Sequence, residues 1–164
     1  MMVNDVARAF FEAKAVRQVC IELPDEDLEP EDQGKDLVGK LKMSLYGTRD
    51  AAKNWQEEVA RMMKVWGFTQ GQYNPCLYHH KGWNLRTLVH GDDFISTGGR
   101  KAMKRFRSAL EARFKVKTQL VGVGGEEEVR EARVLNRVLR VTDEGWEYEP
   151  DPRHTDMLIE GLGL

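Results

Sequence analysis

The chain has 164 residues, 41% hydrophobic and 32% charged, with a formal net charge of −2. That length and composition predict one soluble globular domain with its own core and exclude a disordered or fibrous chain. The near-neutral balance excludes binding to nucleic acid through a global basic field and leaves only local patches for that role.

Residues 2–6 read as a short strand, and 16–23, "VRQVCIEL", as a second with Val19, Ile21 and Leu23 alternating. Residues 24–36, "PDEDLEPEDQGKD", form an acidic loop. Residues 37–47, "LVGKLKMSLYG", resume a strand that stops at Gly47. A helix follows, with Trp55, Val59, Met62 and Trp66 on one face and Gly67 as its stop. Residues 76–80 and 85–90 flank "KGWN" as a hairpin, and "DFIS" is the next strand, so Gly91-Asp92 lies at a tight connection. Met103, Phe106, Leu110 and Phe114 mark a second helix. The glycine-rich loop 121–129 lacks the Lys-Ser/Thr of a phosphate loop, and its acidic run would repel phosphate. Residues 132–150 read as a hairpin turning at Asp143-Glu144-Gly145, and Asp151 caps a last helix opening at Pro152. Strands in runs with helices between them predict an α+β fold: an antiparallel sheet with helices on one face and the other face free.

The stretch "LVHGDDFIS", residues 88–96, places Asp92 and Asp93 side by side at a turn. Adjacent like charges repel unless something positive offsets them. Two-metal phosphoryl transfer gathers carboxylates from at least two places around ions ~3.5–4 Å apart. Asp5 ends another strand and is a candidate third carboxylate. Residue chemistry alone leaves open whether these aspartates are turn and cap residues or metal ligands.

Four segments carry a resemblance: "DVARAFF" (5–11), "LKMSLYGTRDAAKNW" (41–55), "GFTQGQYNPCLYHH" (67–80) and "LVHGDDF" (88–94). Their order and spacing resemble a reverse transcriptase palm, and the copia-type retrotransposon branch in particular. "RFKVK" (113–117) and residues 133–164 resemble the strand after the second palm helix and the approach to the thumb. The resemblance implies a ferredoxin-like polymerase palm over residues 1–150 and the start of a thumb or connection over 151–164. It implies an RNA-directed DNA polymerase with two Mg²⁺ ions, or Mn²⁺ in their place. The partners would be an RNA or DNA template with its primer, and deoxynucleoside triphosphates.

Residue by residue, the resemblance implies that Asp5, Asp92 and Asp93 are catalytic metal ligands, with the main chain of Val6 as a further oxygen. Arg8 and Ala9 would offer backbone N–H groups to the triphosphate. Phe10 would sit under the sugar, although Phe10 and Phe11 also read as plain core. Tyr46 and Gly47 would lie along the nascent base pair. His90, Gly91, Arg49, Lys53, Leu135 and Asn136 would meet primer or template. His90 equally reads as a plain strand residue, and Arg49 and Lys53 as solvated surface. Against the family pattern, His90-Gly91 replaces Tyr-Val, Arg49-Asp50 replaces Lys-Gln, and Asn136 stands where glycine is typical.

The abrupt ends, and the few residues before Asp5, predict a palm truncated before the fingers and within the thumb. The expectation is weak or no polymerisation by this chain alone, with fingers, thumb and RNase H segments elsewhere in a parent polyprotein. The competing expectation is a palm-shaped remnant or nucleic-acid-binding module without catalysis. An unrelated metal-dependent hydrolase is disfavoured, because His79, His80 and His154 have no ligand-like spacing to the aspartates. Two cysteines, Cys20 and Cys76, with no signal peptide predict an intracellular setting, cytoplasm or nucleus. No apolar run approaches the ~20 residues of a membrane span.

Overall fold

The computed structural model describes residues 1–149 and 151–163. The boundary expected at Pro150 lies outside the described residues. The elements are β1 (Met2–Val6), β2 (Cys20–Glu22), β3 (Val38–Lys40), α1 (Ala51–Val65), β4 (Thr69–Gln70), β5 (Leu77–His80) and β6 (Leu85–His90). Then follow β7 (Asp93–Thr97), α2 (Arg100–Glu111), β8 (Val116–Val121), β9 (Glu128–Val129), β10 (Glu131–Val134), β11 (Arg137–Val141), β12 (Trp146–Glu149) and α3 (Pro152–Leu162). Among the described residues, no helix is long and apolar enough to cross a membrane.

Seven strands form the main sheet in the order β4-β5-β6-β7-β1-β8-β9. Every pairing is antiparallel except β8 with β9. Strand alternation decides the two faces. Met2 and Val6 of β1, Leu85 of β6 and Phe94 of β7 point into one core with Trp55, Val59 and Met63 of α1 and Met103, Phe106 and Leu110 of α2. The predicted layering therefore holds: both helices pack on one face, and the sheets are dominantly antiparallel.

The opposite face is only partly free, which corrects the expectation. Val121, Ala132 and Val141 form a second small core there, joined by Met1 and Val3. Strands β10, β11 and β12 make a separate sheet that packs over the β8 end. The predicted single hairpin over 132–150 is thus a three-stranded meander. Its extra turn, Leu135-Asn136, is made by two non-glycine residues with positive φ, 49° and 64°. Leucine at such a position carries no turn signal, so the sequence concealed it.

Two predicted strands shrink to three-residue segments. β2 and β3 pair only with each other, and Ile21 and Val38 stay exposed. Their apolar alternation meets no helix, so no buried face extends the pairing. Residues 41–47 leave strand geometry to form a loop, for reasons seen at the site. Phe114 lies beyond α2, yet it is buried in the same core. Gly67 follows the end of α1 with positive φ, as predicted.

Candidate active site

The sheet register brings the opening aspartates together. Asp5 of β1 is directly opposite Asp93 of β7. Asp93 also faces His90 of β6, and Asp5 faces Lys117 of β8. His90, Asp93, Asp5 and Lys117 thus form one row across four adjacent strands, on the face away from α1 and α2. The next row, Leu88, Ile95, Val3 and Gln119, is mostly apolar. A polar row at the strand ends above an apolar floor is a surface shaped for a ligand with charged and flat parts.

Asp92 sits in the two-residue turn between β6 and β7. Gly91 holds φ at 62°, and Asp92 is not among the positive-φ residues. Positive φ at the first central position alone is the requirement of a type II′ turn. The turn is tied at both of its carbonyls. Trp55 Nε1 donates to the Gly91 oxygen at 2.7 Å. The Val6 N–H donates to the Asp92 oxygen at 3.0 Å, which fixes Asp92 to the strand that carries Asp5.

The electrostatics record the crowding. Burial raises the Asp93 carboxyl pKa above its ordinary value, and the charges of Asp92 and Asp5 raise it further, against a lowering by His90.

A second group of residues joins the segment after β1 to the loop before α1. Arg8 adopts a left-handed conformation, φ 56° and ψ 41°, and opens a 3-10 turn over Ala9–Glu12. Its neighbour Phe10 stacks on Tyr46 with ring centroids 4.4 Å apart, and Phe11 meets the same ring edge-on at 5.5 Å. Tyr46 is 47% exposed, so the stack presents an aromatic surface to solvent. Tyr46 and Gly47 form the centre of a turn closed by the Thr48 N–H on the Leu45 oxygen at 3.1 Å. Gly47 has φ 86°, as the second central position of a type II turn demands. Ser44 holds this loop in place. Its N–H bonds the Ala13 oxygen at 2.8 Å, and its hydroxyl accepts from Asn54 Nδ2 at 3.0 Å. These bonds draw residues 41–47 out of strand geometry and dock them on α1.

The remaining expected residues stand apart from the carboxylate row in their bonding. Arg49 is exposed in the turn before α1, and Lys53 pairs with Glu57 at 3.7 Å on its surface. Asn136 Nδ2 donates to Asp151 Oδ2 at 2.7 Å, which joins the β10–β11 turn to the start of α3. Asp151 caps that helix by accepting from the Arg153 N–H at 3.1 Å, and the Arg153 guanidinium holds its carboxyl far below the usual range. Sequence reading missed Lys117, Ser44 and Asn54. It also placed Trp55 in the core without its bond to Gly91. Lys117 had a readable signal in the alternation of "RFKVK", but its partner depends on sheet register, which the sequence does not state.

A family model described as reverse transcriptase (RNA-dependent DNA polymerase) matches residues 1–123. The chain belongs to the reverse transcriptase family. It is the copia-type family, so the resemblance carried by "SLYG", "NPCLY" and "GDD" is borne out. All six residues named for metal and triphosphate, Asp5, Val6, Arg8, Ala9, Asp92 and Asp93, lie within the matched segment.

Reverse transcriptases use divalent metals, and the donor set here fits such an ion. Carboxylate oxygens are hard ligands that suit Mg²⁺, and three of them gather at one end of the sheet. Among the described residues, no group of three or more His, Cys, Asp or Glu side chains is placed so as to hold a metal ion. The three aspartates are neighbours in the sheet register without forming a ligand set.

Proposed function

We propose that this chain is the catalytic palm of an RNA-directed DNA polymerase from a retrotransposon, working through two Mg²⁺ ions, with Mn²⁺ able to replace them. The observation that supports this most is the placement of Asp5 opposite Asp93, with Asp92 tied to the same strand through the Val6 N–H. When bound, the metal supplies Lewis acidity for nucleotidyl transfer and charge neutralisation for the triphosphate. Asp5, Asp92 and Asp93 would hold it, with the Val6 carbonyl as a further oxygen.

The rest of the chain positions the reactants. Arg8 takes a left-handed conformation ahead of the 3-10 turn, and the backbone N–H groups of Arg8 and Ala9 would bond the phosphate oxygens. Phe10, braced by Tyr46, lies under the sugar and favours a deoxyribose. Tyr46 and Gly47 line the nascent base pair. Template and primer would run past the carboxylate end of the sheet, with His90, Gly91, Arg49, Lys53, Leu135 and Asn136 as their contacts. Positioning and fixed charge, rather than covalent chemistry, are the protein's share of such a transfer.

Aspartates that are neighbours without forming a ligand set favour one second reading, a nucleic-acid-binding module with a palm fold and no catalysis. Titration calorimetry with Mg²⁺ and Mn²⁺, on the chain and on Asp92→Asn, with and without primer–template and a deoxynucleotide, separates the two. Binding that needs Asp92 and tightens with nucleotide supports the polymerase. Equal binding by both proteins supports the non-catalytic module.

A further inference from the structure

We infer that Trp55 is a positioning residue for the carboxylate turn; this rests on reading that turn as the metal centre. Trp55 lies on α1, on the face of the sheet opposite the carboxylates, and cannot touch a reacting atom. It acts through the backbone.

The bond is made to one particular carbonyl. In the turn His90-Gly91-Asp92-Asp93, the central peptide carries the Gly91 C=O and the Asp92 N–H. Rotation of that peptide is what interconverts type II′ and type I′ turns, and it reverses the Gly91 C=O and the Asp92 N–H beside the carboxylates. Gly91 does not resist the rotation. It has no side chain, and a Cβ built there would meet nothing within 4 Å. Gly91 therefore does not hold the peptide by packing; Asp92 disfavours the positive φ of the type I′ form, and the hydrogen bond from Trp55 Nε1 at 2.7 Å reinforces the orientation seen.

The donor itself is immobilised. Trp55 is 1% exposed and packs edge-on against Phe114 with ring centroids 5.4 Å apart. The Arg113 guanidinium covers the other part of Phe114, 4.7 Å from its centroid. Arg113 also pairs with Glu12 at the end of the turn that bears Phe10, and with Glu58 on α1. One buried aromatic pair and one arginine thus connect the helix, the nucleotide-side turn and the carboxylate turn. A cleft of about 420 Å³, lined by Trp55, Val59, Tyr78, Val89 and Gly91, borders the bond. Without the indole donor, water in that cleft can solvate the Gly91 carbonyl, and the restraint on the peptide loosens.

The test replaces Trp55, at that position only, with 3-benzothienylalanine, which keeps the bicyclic shape and puts sulfur in place of the N–H. A 7-azatryptophan variant, which retains the donor, is the rescue control. Mn²⁺ affinity of the full chain is read by electron paramagnetic resonance, alongside thermal stability and hydrogen exchange at the Asp92 and Asp93 amides. The benzothienyl protein is expected to bind Mn²⁺ about 10-fold more weakly, the low end for a group that orients a metal ligand from outside. Its Asp92 amide is expected to exchange faster, and 7-azatryptophan to restore both. A purely structural role would move melting temperature alone. Unchanged affinity and exchange in the benzothienyl protein, with binding lost in Asp92→Asn, overturn the role of Trp55. Equal Mn²⁺ affinity in wild type and Asp92→Asn overturns the metal-centre reading, and the role of Trp55 falls with it.

Discussion

Asp5 and Asp93 stand directly opposite each other across β1 and β7, a placement in which like charges weaken a sheet. The protein tolerates this at the centre of its main sheet, with Asp92 adding a third charge beside them. Burial and these two neighbours raise the Asp93 pKa in the folded state. The folded state therefore holds a proton that the unfolded state releases at ~pH 4. Stability falls as pH rises from that point through the raised folded value, and the penalty is complete above it.

Asp93→Asn removes the ionisation and with it the penalty. Without metal at pH 7, this variant is expected to melt about 2 °C higher than wild type, with the difference gone near pH 3. Excess Mg²⁺ reverses the order, because it stabilises only the protein that binds it. Scanning fluorimetry across pH, with and without Mg²⁺, checks both points. A lower melting temperature for Asp93→Asn at pH 7 without metal would show that the crowding is not destabilising.

Lys117 faces Asp5 from β8 and supplies a positive charge to the row. That charge competes with a bound cation for the same carboxylate. Lys117→Met is expected to bind Mn²⁺ about 3- to 5-fold more tightly at low salt, the scale of one exposed charge pair in high dielectric. The gain should shrink as salt screens the pair. Calorimetric titration at two ionic strengths reads it, and weaker binding by the variant would instead make Lys117 a support for the site.

Much of this was legible in the sequence. The order of elements followed from alternation in "MVNDV" and from the spacing of Trp55, Val59 and Met62, which burial enforces. The turn at Gly91-Asp92 followed from glycine between two apolar runs. What stayed hidden depends on contacts between distant segments. Ser44 reads as a loop residue until Ala13 and Asn54 arrive beside it, and Trp55 reads as core until Gly91 does. The extent of β2 and β3 was overestimated, because alternation signals a strand only where a partner layer covers one side. The Leu135-Asn136 turn broke the usual residue rules and so gave no sign.

The "SLYG…NW" motif has a physical account in these bonds. Ser44 fixes the loop to the 3-10 segment and to Asn54, Tyr46 braces Phe10, and Trp55 holds the carboxylate turn. The Ser44 and Asn54 side chains are both buried, so losing one leaves the other's polar group without its partner. Asn54→Ala is expected to lower stability by about 1–3 kcal/mol, the usual penalty for a buried group left unsatisfied. It should also release Tyr46, seen as faster hydrogen exchange over residues 44–48. An unaltered exchange rate there would show that the Phe10–Tyr46 stack holds the loop by itself.

Leu135 carries strain that its neighbours do not relieve. Its φ of 49° is a conformation that a branched L-residue adopts only at an energetic penalty, and its side chain is 42% exposed. Asparagine suits the left-handed region far better and loses little packing at an exposed turn. Leu135→Asn is expected to stabilise the chain by about 0.5–1 kcal/mol in urea unfolding. Asn136 must stay, since its amide holds Asp151. Strain kept at an exposed apolar residue is the pattern of a contact site, and the proposed contact is primer. The same variant should therefore bind primer–template more weakly while being more stable. A gain in stability with unchanged primer–template affinity would leave the turn a structural feature only, and would remove Leu135 from the proposed primer contacts.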